Sequence, residues 1–238
     1  MEITPIAYIK SDFPEKFGIP RQSGLVEELT ATVVFQPPYR VPDALRGLEG
    51  FSHLWLIWEF SKARREGWSP TVRPPRLGGN VRLGVFATRS PFRPNPLGLS
   101  CVRLLEIRQD RAQGPVLVVA GADLMDGTPI YDIKPYLPYA DCKPEAVGGF
   151  AARPKGADLA VDCSPALLDR VPEDKRAALL AVLAQDPRPQ YQDDPERVYG
   201  MAFAGLEVKF RVAGERLTVT EIVWGGTTSA RRFHRENP

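Results

Sequence analysis

Short apolar runs broken by proline and glycine clusters dominate the first 125 residues, and hardly any stretch there sustains a helical repeat. Six runs concentrate Val, Ile, Leu, Phe or Trp over strand-like lengths: Ile3–Lys10, Leu29–Phe35, Leu54–Phe60, Val81–Thr88, Leu99–Arg108 and Val116–Leu124. A short helix is predicted at Asp43–Leu48, opened by Pro42-Asp43 and stopped by Gly50. Six strands with one helical excursion predict a mainly β chain built on a small closed six-stranded β-barrel, not an open alternating α/β sheet.

The pattern changes at Ala140. Asp141–Asp162 is rich in Pro, Gly, Ala and charge and reads as a connection. Beyond it a helix is predicted from Pro172 to about Gln185, with Ala177, Leu180, Val182 and Leu183 on its apolar side and Asp186-Pro187 as its stop. Val198–Val212 and Arg216–Trp224 follow as two strands around Ala213-Gly214-Glu215. The expected organisation is therefore a barrel unit at 1–141, a linker at 142–163 and a small α+β C-terminal unit at 164–238. The basic tail Ser229–Pro238 ends the last of these.

Composition narrows the class. With 238 residues, 43% hydrophobic and 25% charged, the chain has enough apolar material for a sizeable core. The longest apolar run, His53–Trp58, is far below the roughly 20 residues of a membrane-spanning helix. The N-terminus has no basic start followed by an apolar signal core, so the expected location is the cytoplasm. Cys101, Cys142 and Cys163 form no CxxC pair and read as reduced packing thiols. With only two histidines, the set argues against a metal site. No GxGxxG follows a strand and no GxxxxGK[ST] is present, which removes the usual nucleotide-phosphate loops.

Net charge is only +2, but Ser61–Asp110 holds ten Lys or Arg against three acids, a local excess that fits contact with a polyanion. Three loops carry candidate chemistry. Gly84–Ser100 sets Arg89 and Arg93 among Pro91, Pro94 and Pro96, a stiff loop whose guanidinium groups suit carboxylate or phosphate. Gly121–Asp141 gathers Asp126-Gly127-Thr128, Asp132, Lys134, Tyr136 and Tyr139 on proline-rich backbone, a setting for stacking on and bonding to a planar base. Glu15–Val26 contains the polar turn Arg21-Gln22-Ser23-Gly24, which with Pro75–Asn80 can line one barrel mouth.

Four stretches taken together, KFGIPRQSGL, LRGLEGFSHLWLIWEF, PTVRPPRLGGNVRLGVFATRSPFRPNPLGLS and DLMDGTPIYDIKPYLPYAD, resemble in order and spacing the TsaA-like family, also called TrmO. The resemblance covers about residues 3–141, and Val182–Tyr191 is similar to the C-terminal extension of bacterial members. It implies an S-adenosylmethionine-dependent tRNA adenine-N6 methyltransferase of β-barrel type, acting as a homodimer. The implied substrate is the threonylcarbamoyl-modified adenosine 3′ of the anticodon. The methyl-donor site it implies falls on Ser23, Gly24, Leu25, Ser61, Lys62, Arg89, Leu99, Asp126, Gly127 and Thr128. Ser61-Lys62 stand where the family often has His-Gln.

Methylating an adenine N6 requires an acceptor for its proton, because the lone pair is delocalised into the ring. Asp126 or Asp132 is the expected acceptor, with Tyr136 stacking on the base and Lys134 or Arg93 fixing phosphate or the threonyl carboxylate. Arg64, Arg65, Arg73 and Arg76 are expected on the tRNA backbone. Two other readings stay open: a non-catalytic RNA- or nucleotide-binding barrel, and a methyltransferase of the same fold acting on a small metabolite.

Overall fold

The computed structural model describes residues 2–63, 67–152, 158–189 and 194–225. In chain order its first strands are β1 (Ala7–Lys10), β2 (Thr30–Phe35), β3 (His53–Glu59), β4 (Thr71–Val72) and β5 (Leu83–Gly84). They are followed by β6 (Leu97–Asp110), β7 (Gly114–Ala120), β8 (Pro129–Pro135) and the short helix α1 (Pro138–Asp141). The C-terminal part contributes β9 (Ala160–Asp162), α2 (Pro165–Leu168), α3 (Glu173–Ala184), β10 (Tyr199–Phe203), β11 (Leu206–Ala213) and β12 (Arg216–Trp224).

Six strands hydrogen-bond in the order β1-β2-β7-β6-β3-β8, with β8 returning to β1, and so close a barrel. Every junction is antiparallel. The ends of β1, β3 and β7 therefore share one mouth with the starts of β2, β6 and β8. Period-two alternation turns Ala7, Ile9, Val33, Leu54, Leu56, Val102, Leu117 and Val119 into the interior, each essentially without exposure. Burying each larger apolar side chain contributes about 1.5–3 kcal/mol, enough to hold the register, since a one-residue slip would turn the whole set outward.

The sixth strand is not the expected one. Val81–Thr88 supplies only the two-residue β5, which pairs with β4, and then passes into a 3-10 turn at Val85–Ala87. Pro129–Pro135 takes the place in the ring. Its proline at the first position costs no ladder bond, and beyond the buried Pro129 and Ile130 its side chains are half covered or exposed, so it lacks the apolar density by which the other strands are read. The predicted helix at Asp43–Leu48 resolves into 3-10 turns at Pro42–Leu45 and Leu48–Gly50, with Gly47 at φ +88° between them.

The C-terminal strands form a four-stranded sheet in the order β10-β11-β12-β9, in which β9 pairs parallel to β12. Ala160–Asp162, expected within the linker, thus belongs to this sheet. The single run Val198–Val212 splits into β10 and β11 at Ala204-Gly205, both with positive φ. On α3 the buried stripe is Ala178, Leu179, Val182 and Leu183, while Ala177 is exposed and Leu180 only half-buried, so the apolar side is rotated from the expected one. The expected tail, Ser229–Pro238, lies outside the described residues.

The boundary between the two units is also less clean than predicted. Phe13, Val26 and Leu29, from the long β1–β2 loop, share one buried cluster with α3 and the C-terminal sheet. Phe13 meets Phe203 edge-on with ring centroids 5.5 Å apart. Lys175 Nζ reaches Asp12 Oδ2 at 2.8 Å with both side chains largely covered, and the Ala204 N–H donates to the Asp12 carbonyl at 2.8 Å. Phe13→Ala is expected to lower stability by about 3–5 kcal/mol, as for other buried Phe truncations, read by chemical denaturation. A loss below about 1 kcal/mol would show that this loop is not anchored there.

Candidate active site at one mouth of the barrel

At the mouth where β3 and β7 end and β6 and β8 begin, the surface opens into a cavity of about 380 Å³, the size of a small-ligand pocket. The β1–β2 loop contributes Lys16, Ile19, Pro20, Arg21 and Gln22; the end of β3 contributes Trp58, Glu59 and Phe60, followed by Ser61, Lys62 and Ala63. The excursion between β3 and β6 adds Arg89, Pro91 and Arg93, β6 adds Leu97, Gly98 and Leu99, and the segment after β7 adds Asp123, Met125 and Thr128. Antiparallel closure is what brings these distant segments to one end.

The floor is a hydrogen-bonded chain. Trp58 faces Gly98 across the β3–β6 ladder, and its Nε1–H donates to the buried Ser100 Oγ at 2.9 Å. Ser100 Oγ–H in turn donates to Asp123 Oδ1 at 2.5 Å. Burial pushes the Asp123 carboxyl above its ordinary range, partly offset by the Ser100 bond and by the charge of Arg89. The second carboxylate, Glu59, is buried and accepts from the Tyr131 hydroxyl at 2.6 Å. Tyr131 is the extra residue of a bulge opposite Ile57 and Trp58.

Cations form the rim. Arg89 Nη1 donates to Gln22 Oε1, and Arg93 Nη1 donates to the Thr88 carbonyl at 3.3 Å, which ties both guanidinium groups to the loop backbone and its neighbour. Lys16 Nζ donates to the Lys62 carbonyl at 3.2 Å. Arg21 Nη2 reaches the Arg188 carbonyl at 3.3 Å. Burial lowers the Arg21 pKa; Asp186 opposes that shift and Arg76 adds to it, so Arg76 stands close to the rim.

The expected donor-site residues divide into three groups. Ser61, Lys62, Arg89, Leu99 and Thr128 line the cavity, as does Arg93 from the substrate set. Ser23, Gly24 and Gly127 support its walls. Ser23 Oγ accepts from the Cys101 N–H at 3.1 Å, and the Ser23 backbone N–H acts on Asp123. The Gly24 N–H donates to the Gly121 carbonyl at 2.9 Å, an approach so close that a Cβ on Gly121 would stand 3.2 Å from Gly24 Cα. The Gly127 N–H donates to the Ile9 carbonyl at 2.9 Å. Leu25 is exposed and does not line the cavity.

Asp126, Asp132 and Tyr136, expected as catalytic, do not line this cavity. Asp126 Oδ1 accepts from the Ser11 N–H at 3.0 Å, and the residue lines a separate cleft with Asp12, Asp174 and Lys175. Asp132 sits midway along β8 and pairs with Lys134 at 2.9 Å on the solvent side, so Lys134 also points away from the cavity. Tyr136 follows the far end of β8, packing beside Trp55 and donating its N–H to the His53 carbonyl at the start of β3. That end of β8 is opposite to the one that borders the cavity, and Tyr136 does not line the cavity. Arg73 and Arg76 are exposed on the excursion, and Arg64 and Arg65 lie outside the described residues.

Trp58, Glu59 and Asp123 were missed. Gly98, just before the run Leu99–Arg108, was the available signal for a close approach at this level of the barrel. Asp123 follows the continuously apolar run of β7 and stands three residues before the Asp126-Gly127 turn, with nothing local to single it out.

The architecture and cavity define a barrel with a carboxylate-floored, arginine-rimmed ligand site, a class distinct from open-sheet nucleotide-binding proteins. Residues 8–142 match the tRNA-methyltransferase O N-terminal domain and residues 157–224 match the TrmO C-terminal domain. The chain belongs to the TrmO family. It is 44% identical over 215 residues to the tRNA (adenine(37)-N6)-methyltransferase of Escherichia coli K12, covering 87% of this chain and 91% of that protein. It is 39% identical over 139 residues to a Pyrococcus abyssi protein described as a probable S-adenosyl-L-methionine-binding protein, covering 58% of this chain and 70% of that one. A crystal structure of TrmO from Pseudomonas aeruginosa superposes with a TM-score of 0.77 at 36% identity, over 94% of this chain and 97% of that one. Among the described residues no helix is long and apolar enough to cross a membrane and no group of three or more His, Cys, Asp or Glu is placed to hold a metal.

Proposed function

We propose that this chain is an S-adenosylmethionine-dependent tRNA methyltransferase that places a methyl group on N6 of adenosine. Its substrate on this reading is the threonylcarbamoyl-modified base 3′ of the anticodon. The observation that carries the reading is the convergence of Ser61, Lys62, Arg89, Leu99 and Thr128 on one ligand-sized cavity, beside an arginine-rich excursion, in a chain whose relatives bear that activity. The residues present fit such a donor. Arg89 and Arg93 offer guanidinium groups to a carboxylate, Glu59 and Asp123 face a cation, and Trp58, Phe60 and Leu97 supply apolar walls.

When bound, the donor supplies an electrophilic methyl group on a positively charged sulfur. The stiff proline-bearing loop Arg89–Leu97 and the Gln22–Arg89 contact hold the rim in place, so alignment of nitrogen and methyl carbon is the main contribution asked of the protein. As the new C–N bond forms and the C–S bond breaks, N6 must release a proton. Asp123 is the acceptor, in place of Asp126 and Asp132, because its carboxylate faces the cavity with Ser100 and Trp58 fixing its orientation. An unpaired anticodon loop presents its base without opening a duplex. Assembly as a homodimer belongs to the same reading and rests on the family resemblance alone.

Incubation of the purified protein with methyl-labelled S-adenosylmethionine and bulk tRNA from cells lacking the enzyme, then nucleoside digestion and mass spectrometry, tests the whole reading. Label on threonylcarbamoyladenosine is expected. Donor binding without label on any tRNA nucleoside would move the substrate to another class; loss of donor binding as well would return the chain to a binding barrel.

A further inference from the structure

The excursion between β3 and β6 does more than edge the cavity. Its β4–β5 ladder is short, with Thr71 facing Gly84 and Val72 facing Leu83, and is reinforced by the Val85 N–H donating to the Pro70 carbonyl at 2.9 Å. Trp68 stands just before β4 and Phe86 just after β5, so the ladder sets the two rings side by side, centroids 6.1 Å apart and tilted by 31°. Neither is in a core: Trp68 is 52% exposed and Phe86 72% exposed. Large aromatic surface left in water on a loop is costly unless something covers it.

The charge around the rings says what kind of partner that is. Residues 67–96 contain five arginines, Arg73, Arg76, Arg82, Arg89 and Arg93, and no Asp or Glu. Arg82 is held against the ladder by Nη1 donating to Thr71 Oγ1 at 3.0 Å. Arg89, three residues after Phe86, already lines the cavity. A second copy of the chain meeting this face through the same patch would set arginine against arginine, whereas a single-stranded nucleic acid offers phosphates to the guanidinium groups and base faces to the rings.

We propose that Trp68 and Phe86 form a stacking platform for the nucleotides flanking the target base of a single-stranded RNA loop. This rests on the tRNA reading above and deepens it. The base entering the cavity must leave its neighbours at the rim, and the platform lies on the segment that builds that rim. Stacking holds the flanking bases without reading their identity, while the arginines hold the backbone.

Trp68→Ala and Phe86→Ala are tested for tRNA affinity across a salt series, with donor affinity, thermal unfolding and sedimentation on the same samples. Each variant is expected to bind tRNA about 5- to 140-fold more weakly, the range for loss of one base–aromatic stack. The slope of log affinity against log salt should stay that of wild type, since no phosphate contact is removed. Trp68→Phe should recover most of the loss. Wild-type tRNA affinity in both alanine variants of an active enzyme would overturn the platform and leave the methyltransferase reading standing. So would a loss traced by sedimentation to dissociation of a dimer. A wild-type protein that binds no tRNA would overturn both.

Discussion

Asp123→Asn is expected to lower the single-turnover methyl-transfer rate by about 10²–10⁴-fold, the range for removing a positioned general base, while donor affinity changes only a few-fold. The amide keeps an acceptor for the Ser100 hydroxyl, so the floor chain from Trp58 survives and the change is confined to the proton acceptor. The pH dependence separates this from a folding defect. Burial raises the folded-state pKa of Asp123 above its unfolded value. The folded protein therefore holds that proton more tightly, and the associated stability is fully present below the unfolded carboxylate pKa and lost as pH rises through the folded one. Above its folded-state pKa the ionised Asp123 is a destabilising group, and there Asp123→Asn should unfold at the wild-type temperature or above it. The wild-type rate should climb with pH as Asp123 deprotonates and then level off, and the variant should lose that climb. An unaltered rate in Asp123→Asn, with collapse in Glu59→Gln, would move the proton acceptor to β3.

Gly98→Ala is expected to damage fold and site together. A Cβ at Gly98 would lie 2.3, 2.5 and 2.7 Å from three carbons of the Trp58 ring system, distances that no side-chain contact tolerates. Trp58 cannot retreat inward, because Leu54, Leu56 and Val102 fill the barrel beneath it and Phe60 stands 4.3 Å away between ring centroids. Either the indole turns outward into the cavity or β3 and β6 separate. Overpacking of this kind costs about 1–3 kcal/mol, which for a chain of this length is a fall in melting temperature of very roughly 2–12 °C. Because Trp58 Nε1–H holds Ser100, and Ser100 holds Asp123, donor affinity and transfer rate should fall with stability. Calorimetry together with donor titration reads both. Unchanged values in both would mean that the ladder has room the geometry does not show.

What the chain's own pattern determines is local. β2, β3, β6 and β7 are apolar runs, and each lies within a few residues of where apolar density alone puts it. The loops that line the cavity were legible as well, because proline-stiffened arginines and glycine turns are conspicuous where a barrel has little other irregularity. Which polar residues share a mouth was decided by closure of the ring. Asp126 and Asp132 lie on the same stretch as Asp123, and nothing in composition ranks one carboxylate above another. The bulge at Tyr131, the return of β8 to β1 and the β1–β2 loop clamped by Phe13 turn Asp126 toward Ser11 and carry Asp132 down the outer wall. They leave Asp123 facing the cavity. Local runs follow from backbone sterics and period-two burial within a few residues. The direction of a carboxylate depends on strand register accumulated around six antiparallel junctions, and that register exists only once the barrel is closed.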